Sequence, residues 1–460
     1  MGTLYETLAQ IIGDEYVSNR REELYFYGRD PSLMAPHEPD YVVMPKTTQE
    51  VQKIVELANK EKIAVVPKGG GLALTGVVIP LKGGILMDMK RMDQVLEVNE
   101  KARYVLIEGG TTQAKLKTYL EKHHPNLTHC TPEAPPIVTV AANAVLHGQG
   151  RLTQQYGFTS DMVTGLEVVL PTGEICKIGS CSVSPYWFSK AAPLPDLSGL
   201  FLGWMGTTGI ITKMGFKLYP RKKMKDIEIF VTDIAELVPD ILFKLTHTEM
   251  VEDILLWFQP YPLMFKGNYH INISITGDSD EEIEFKRKMI WDAVREYIDN
   301  KDGGFMWVAP DMKRTFLQNP QKDSSSFADL RRGGGFVYGG PIMPIEKFPV
   351  CVRKLEELSD KYKIAADGAA RVIGRSHCMM FAFSVAFNRA DPDEMERVSK
   401  ALHESAEFAL EHGGVPWKAN IDEQTMILEK MDPNTMNLMK KIKDVIDPNG
   451  IMNPGNWEIA

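Results

Sequence analysis

The segment VVPKGGGLALTG at residues 65–76 constrains the fold more than any other part of the sequence. A β-branched strand runs straight into three consecutive glycines and then a small polar turn, so the loop exposes backbone amides with no Cβ in the way. Such a loop either makes a tight structural turn or wraps an anion in a nest of N–H dipoles. No GxxxxGK[ST] follows, which excludes a P-loop, and no GxGxxG opens a helix, which excludes the Rossmann fingerprint. The surroundings alternate between β and α. YVVMP (41–45), AVVPK (64–68) and GGILMDM (83–89) read as short strands, and TTQEVQKIVELANKEK (47–62) as a Thr-capped helix with apolar residues at 51, 54, 55 and 58.

The 460 residues, 44% hydrophobic and 25% charged, have an ordinary globular composition, and at about 100–200 residues per domain they fill two or three domains. Lys and Arg total 52 against 61 Asp and Glu, a net charge of −9, so no basic field is expected for nucleic acid or an anionic membrane surface. The five cysteines, at 130, 176, 181, 351 and 378, form no CxxC pair, and no His cluster has zinc-ligand spacing. No metal site is expected, and the thiols read as structural in a reducing compartment. The amino end lacks a basic segment leading into an apolar stretch, and no run reaches the ~18–20 apolar residues of a membrane span. The expected address is the cytoplasm.

Residues 1–30 read as amphipathic helix. A second α/β set follows: ARYVLIEGG (102–110), a helix over 112–122, and SDMVTGLEVVLPTGEICKI (160–178) with its Pro-Thr-Gly turn. From about 223 the texture becomes α+β, with alternating HINISITGD (270–278), a charged helix over 281–300, a polar stretch at 323–335 and a helix over 347–363. GAARVIGRSHCMMFAFSVAFN (368–388) reads as one long strand before a helix over 393–412. The tail DPNGIMNPGNW (447–457) carries two turn signals and reads as an extended clamp. Two further clusters of small residues, TVAANAVLHGQG (139–150) and GLFLGWMGTTGIITKMG (199–215), sit beside strands, as close packing at turns or as further ligand loops.

In this order the segments resemble the flavoenzyme superfamily of vanillyl-alcohol oxidase and p-cresol methylhydroxylase, which includes the flavin subunits of glycolate oxidase and D-lactate dehydrogenase. VPKGGGLALTG is similar to its first pyrophosphate loop, MDQVLEVNEKARYVLIEGGTT (92–112) to the following strand pair, and VAANAVLHGQGRLTQQYG (140–157) to the second flavin loop. DLSGLFLGWMGTTGIITKMGFKLYP (196–220) resembles the close of the FAD domain, and DPNGIMNPG the carboxyl-terminal return to it. The resemblance implies an α+β fold: a two-part FAD-binding domain of the p-cresol methylhydroxylase type (1–222 and 416–460) with an inserted α+β cap, or substrate, domain (223–415). It implies that Pro67, Lys68, Gly69, Gly70, Gly71 and Leu72 cradle the diphosphate, that Asn143, Gly148 and Gly150 line the flavin, and that Thr207, Gly209 and Ile211 touch the nucleotide end. His147 either contacts the flavin ring or caps a turn. A diphosphate needs donors more than cations, which backbone amides supply in an acidic protein.

The chain departs from the superfamily's patterns in three places. Members that tether FAD through a cap His or Tyr place it just before a Pro-Ile pair; GGGFVYGGPI (333–342) offers Phe336 and Tyr338, and non-covalent FAD is expected. The phenol-oxidising branch carries a Tyr-Arg pair where GGVPWKAN (413–420) has Trp417 and Lys418. The hydroxy-acid branch carries an HxGDGN-like metal motif in its cap, of which RVIGRSHCMMFAF (371–383) keeps only His377.

A strand period of two through RVIGRSHCMMF puts Arg371, Arg375 and His377 on one face, continuing into Phe381 and Phe383. That face suits an anionic or phenolic substrate, or else its arginines pair with surface carboxylates. Lys418 either supplies a charge without the bidentate fork of Arg or lies on the surface. Tyr338 and Trp417 either wall the pocket or pack the core, and Met379 and Met380 either line it or fill gaps. The leading expectation is an FAD-dependent dehydrogenase that oxidises a small aromatic alcohol or 4-alkylphenol-like compound by hydride transfer to flavin N5. A D-2-hydroxy acid dehydrogenase (D-lactate or glycolate type) is the competing enzyme, with Arg371, Arg375 or Lys418 on the carboxylate, and a non-catalytic flavin-bearing assembly subunit is the reading from another class. The chain has no CxxCH haem motif and no cluster ligands, so electrons leave to a separate acceptor: a cytochrome, an iron–sulfur protein, an electron-transferring flavoprotein or dioxygen. Either a homo- or a hetero-oligomer fits.

Overall fold

A computed structural model describes residues 3–258, 268–317 and 333–459. Among the described residues three larger sheets follow one another along the chain, besides a two-stranded pair of Leu127–Thr128 with Tyr219–Pro220. In the first, Val17–Ser18, Tyr41–Val43, Ile85–Asp88 and Val65–Lys68 lie in that order, and the last three run parallel. A parallel pair needs a crossover, supplied between Tyr41–Val43 and Val65–Lys68 by the helix Thr48–Glu61. The Thr47 hydroxyl accepts the Glu50 N–H to start that helix, and Val51, Ile54, Val55 and Ala58 are buried along one stripe, each of the larger ones contributing roughly 1.5–3 kcal/mol. The second sheet is antiparallel, with the order Val95–Asn99, Tyr104–Glu108, Ile210–Lys217, Val163–Val169, Ile175–Gly179.

The carboxyl-terminal segment comes back to the first sheet. Val65 donates its N–H to the Ile451 carbonyl (2.8 Å), and its own carbonyl accepts the Asn453 N–H (2.8 Å). The Asn453 side chain then donates to the carbonyls of Val77 (3.0 Å) and Met205 (2.6 Å), so one residue ties the glycine loop to the segment at 205–209.

The third, nine-stranded sheet runs from Met224–Thr232 to Val415–Pro416. One face is covered by the helices Val238–His247, Phe348–Tyr362 and Pro392–Glu411, whose Ile241, Leu245, Leu355 and Val398 meet Ile271, Ile273, Phe381 and Phe383 in the largest core of the molecule. The opposite face carries Ala369, Met380 and Ala382 with Tyr338 and Trp417.

The long strand expected over 368–388 is a hairpin. Ala366–Ile373 and Cys378–Asn388 pair antiparallel across a turn in which Gly374, Arg375 and Ser376 all have positive φ (58°, 56° and 72°). Glycine and serine are the turn chemistry that the period-two reading passed over. The turn resets the phase, so Arg371 stands opposite Met380, and Phe381 and Phe383 point into the helix-covered core with Met379. The polar stretch expected at 323–335 lies mostly outside the described residues.

Candidate functional site

Strand Val65–Lys68 ends in the glycine loop, and among the described residues the amides of Gly69 to Thr75 donate to no protein acceptor. Seven successive free N–H groups on a strand end require an outside acceptor or water. Side chains cannot replace the glycines. A Cβ on Gly69 would lie 2.5 Å from the Thr139 hydroxyl, and one on Gly70 would lie 2.8 Å from the Ile137 carbonyl oxygen. The Pro67 ring packs against Gly206, 3.1 Å from where a Cβ would stand, which joins the first loop to the third. Lys68 folds under the loop with its ammonium 4.7 Å from the centre of the Tyr27 ring. Burial lowers its pKa, against the raising influence of Asp88 and Asp30, so Lys68 sits beneath the cradle.

The second loop starts where Thr139 caps the helix Val140–Val145. Asn143 is buried, and its amide fills the space a Gly148 side chain would take. The His147 ring is fixed by the Ser160 hydroxyl (2.7 Å) and wedged against Gly203, and burial lowers its pKa, so it is a neutral strut of the loop. In the third segment the Thr207 hydroxyl is bonded to the Trp204 carbonyl (2.7 Å), the Thr207 carbonyl accepts from the Lys443 ammonium (2.6 Å), Gly209 packs on Val168, and Ile211 lies in the strand Ile210–Lys217. Four buried atoms on the first two loops and the returning carboxyl-terminal segment, Thr75 Oγ1, Asn143 Oδ1, Gln149 Oε1 and Asn453 Oδ1, lack a partner among the described residues. Free amides together with orphaned buried oxygens fit a polar, anionic dinucleotide.

Beside these loops lies the uncovered face of the third sheet. Arg371 is 1% exposed and makes three hydrogen bonds: Nε and Nη2 to the two Asp253 oxygens (3.1 and 2.9 Å) and Nη2 to Glu133 (2.9 Å). Arg151 joins Glu133 (3.4 Å) and the Phe316 carbonyl. Burial pushes Asp253 up to about 6 in spite of Arg371. Glu133 is also pushed up by burial, but Arg371 and Arg151 outweigh this and hold it below the usual carboxylate range. Two cations thus neutralise two anions drawn from both sides of the junction between the second and third sheets.

The Tyr338 hydroxyl donates to the Met380 sulfur (3.3 Å), and burial raises its pKa. Its ring meets Trp417 edge-on at 6.1 Å. The Trp417 indole N–H donates to the His147 carbonyl (2.9 Å), and its backbone N–H to Gly340 (2.8 Å). The Lys418 ammonium lies 4.2 Å over the Trp417 ring, with no ion pair or hydrogen bond among the described residues, and burial lowers its pKa to about 8. Tyr338 and Lys418 are half-buried.

Arg371, Arg375 and His377 do not share a face. Arg375 and His377 occupy the hairpin turn and are exposed, and Arg375 pairs with the exposed Glu249 (2.9 Å). It is the turn's backbone that docks: Gly374 and Arg375 donate their N–H groups to the carbonyls of Thr153 (3.0 Å) and Gln154 (2.6 Å). Glu133 and Asp253 were not picked out in the sequence and no motif marks them, while Gln149 and Arg151 lie inside the second loop motif without having been singled out from it. Among the described residues no group of His, Cys, Asp and Glu is placed to hold a metal ion, and no helix is long and apolar enough to cross a membrane.

Comparison with known proteins agrees with this geometry. Residues 39–179 match the family model of an FAD binding domain, and residues 342–457 that of the C-terminal domain of FAD linked oxidases. A probable mitochondrial D-lactate dehydrogenase of Danio rerio is 26% identical over 469 residues, covering 97% of this chain and 89% of its own. The glycolate oxidase subunit GlcD of Bacillus subtilis is 24% identical over 98% of this chain and 95% of its own. Among solved structures, p-cresol methylhydroxylase with substrate bound superposes with a TM-score of 0.85 at 20% identity, covering 99% of this chain and 96% of that one, and so shares the fold.

Proposed function

Because the chain belongs to the FAD-linked oxidases, a family of FAD-binding oxidoreductases, we propose that it dehydrogenates a small aromatic alcohol or 4-alkylphenol-like compound. Family membership sets aside a purely non-catalytic subunit. When bound, FAD supplies the hydride acceptor, flavin N5. On this reading residues 1–222 and 416–460 hold FAD non-covalently, the free amides of Gly69–Thr75 taking the diphosphate and Asn143, Gly148 and Gly150 bordering the flavin, while 223–415 form the cap.

The observation that carries the substrate class is the Lys418 ammonium, unpaired among the described residues, on the Trp417 ring that packs with Tyr338 and Met380. Aromatic walls suit an aromatic ring, and a cation without a carboxylate partner suits a developing phenolate. Arg371 has little left to offer a substrate, since Asp253 and Glu133 occupy it. The relatives named for D-lactate and glycolate favour a second reading, a D-2-hydroxy acid dehydrogenase in which Lys418 takes the carboxylate. Electrons then pass to a separate acceptor, a cytochrome, an iron–sulfur protein or an electron-transferring flavoprotein.

Anaerobic photometry of the purified protein separates the two readings. Bleaching of the flavin by 4-alkylphenols or benzylic alcohols supports the first. Bleaching by D-lactate or glycolate alone overturns it in favour of the second.

A further inference from the structure

Trp417 is anchored at two points that belong to different parts of the molecule. Its indole N–H is held by the carbonyl of His147 in the second loop, and its backbone N–H by Gly340 beside Pro341–Met343 of the third sheet. The conformation around it is costly: His147 (φ 48°) at one anchor and Lys418 (φ 53°) next to Trp417 are non-glycine residues in the left-handed region. Strain of that kind persists only where the surroundings over-determine it. Its result is a flat indole face with the next residue's ammonium 4.2 Å above it.

The titratable groups on the elements packed around this pair offer Lys418 no counter-charge. Tyr338 is kept protonated by burial, and His147 is held neutral against Ser160. Glu423, on the helix Ile421–Lys430, accepts the Asn420 N–H (2.8 Å) and is raised to about 7 by burial. Asp422 pairs with the His403 ring (2.6 Å). The aromatic face is therefore the group that steadies the ammonium.

We propose that Trp417 is a positioning residue: its indole, pinned between the flavin-side loop and the third sheet, carries the Lys418 ammonium on its face, where no carboxylate among the described residues pairs with it. The proposal rests on the reading of Lys418 as the charge that meets substrate, and adds the device that holds it. A ring quadrupole steadies a cation without neutralising it, so the charge stays available to an anionic oxygen. A carboxylate in its place would consume the charge.

The test needs no substrate. In the flavin-loaded protein, the pH dependence of Lys418 acylation by acetic anhydride, read by mass spectrometry, gives the pKa of that amine. Removing the ring removes a stabiliser of the charged form, so Trp417→Leu should lower the Lys418 pKa by about 0.4–1.5 pH units. Trp417→Phe keeps a weaker ring and loses the N–H anchor, and should give a smaller decrease. A Lys418 pKa equal to wild type in Trp417→Leu, with the visible circular dichroism of the flavin unchanged, overturns the proposal. Should Trp417→Leu fail to fold, Trp417→Phe decides alone on the same criterion. If no phenol or hydroxy acid bleaches the flavin, the substrate reading fails while the acylation result still stands, so the two failures are told apart.

Discussion

Lys418→Met should make the protein more stable and less active, and the size of the stability gain should depend on pH. The ammonium falls from its ordinary 10.5 to about 8 because burial strips its hydration. At about 1.36 kcal/mol per pH unit, keeping it charged in the fold costs at most ~3.4 kcal/mol, and because the side chain is half-buried rather than dry the working range is ~1–3 kcal/mol. The sign follows from proton counting. Below about pH 8 the folded and unfolded chains both carry the proton, and wild type bears the full cost. Between about 8 and 10.5 the unfolded chain holds more protons, so wild-type stability rises with pH. Methionine keeps much of the stem and no charge, so the variant's advantage should be largest at pH 7 and shrink toward pH 10. Urea unfolding at pH 7, 8, 9 and 10, followed by release of flavin fluorescence, measures this difference. A variant less stable than wild type at pH 7, or a gap that does not change with pH, would refute the reasoning. In the same protein, flavin reduction by an anionic substrate should slow roughly 10–100-fold, the loss of one charge-assisted hydrogen bond.

Three other outcomes are expected. Gly70→Ala forces a Cβ against the Ile137 carbonyl and the Val138 Cα and displaces the free amides, so the apparent FAD dissociation constant, measured by fluorescence titration, should rise at least about tenfold. Arg371→Met leaves Asp253 and Glu133 buried without their shared cation and should cost ~3–5 kcal/mol, visible as a lower thermal midpoint of flavin release, whereas Arg375→Ala removes only an exposed pair and should cost under ~1 kcal/mol with an unchanged rate of flavin reduction. On the proposed reading that amides and packing hold FAD, acid precipitation should leave the yellow colour in the supernatant; colour retained on the polypeptide contradicts a non-covalent site.

The elements that local physics decides were legible in the sequence. The capped helix Thr48–Glu61, with its buried stripe, and the strand-to-glycine passage at 65–71 depend on neighbours within a few residues, and both stand where the pattern put them. The family relation was legible for the same reason, since it is carried by loops whose backbone use leaves a mark in composition. The cap hairpin was not. GRSH reads as a continuation of a period-two strand unless its turn chemistry is weighed, and four residues of turn were enough to send Phe381 and Phe383 into the core and Arg375 and His377 into solvent.

What no window of sequence could supply is charge pairing across the junction. Arg371 alone looks like a substrate cation; with Asp253 118 positions away and Glu133 238 away, it is a buried brace between sheets. The same reasoning bears on Lys418. In sequence it either supplies a charge without the fork of arginine or lies on the surface, and in the fold it is a half-buried cation that no acid among the described residues claims. A protein does not keep an unpaired ammonium half-buried beside aromatic rings without loss of stability, and on the proposed function that loss is what leaves the charge free to act on the substrate. The partition of roles between Arg371 and Lys418 therefore follows from which of the two is already neutralised, a property of the assembled sheets and not of either residue type.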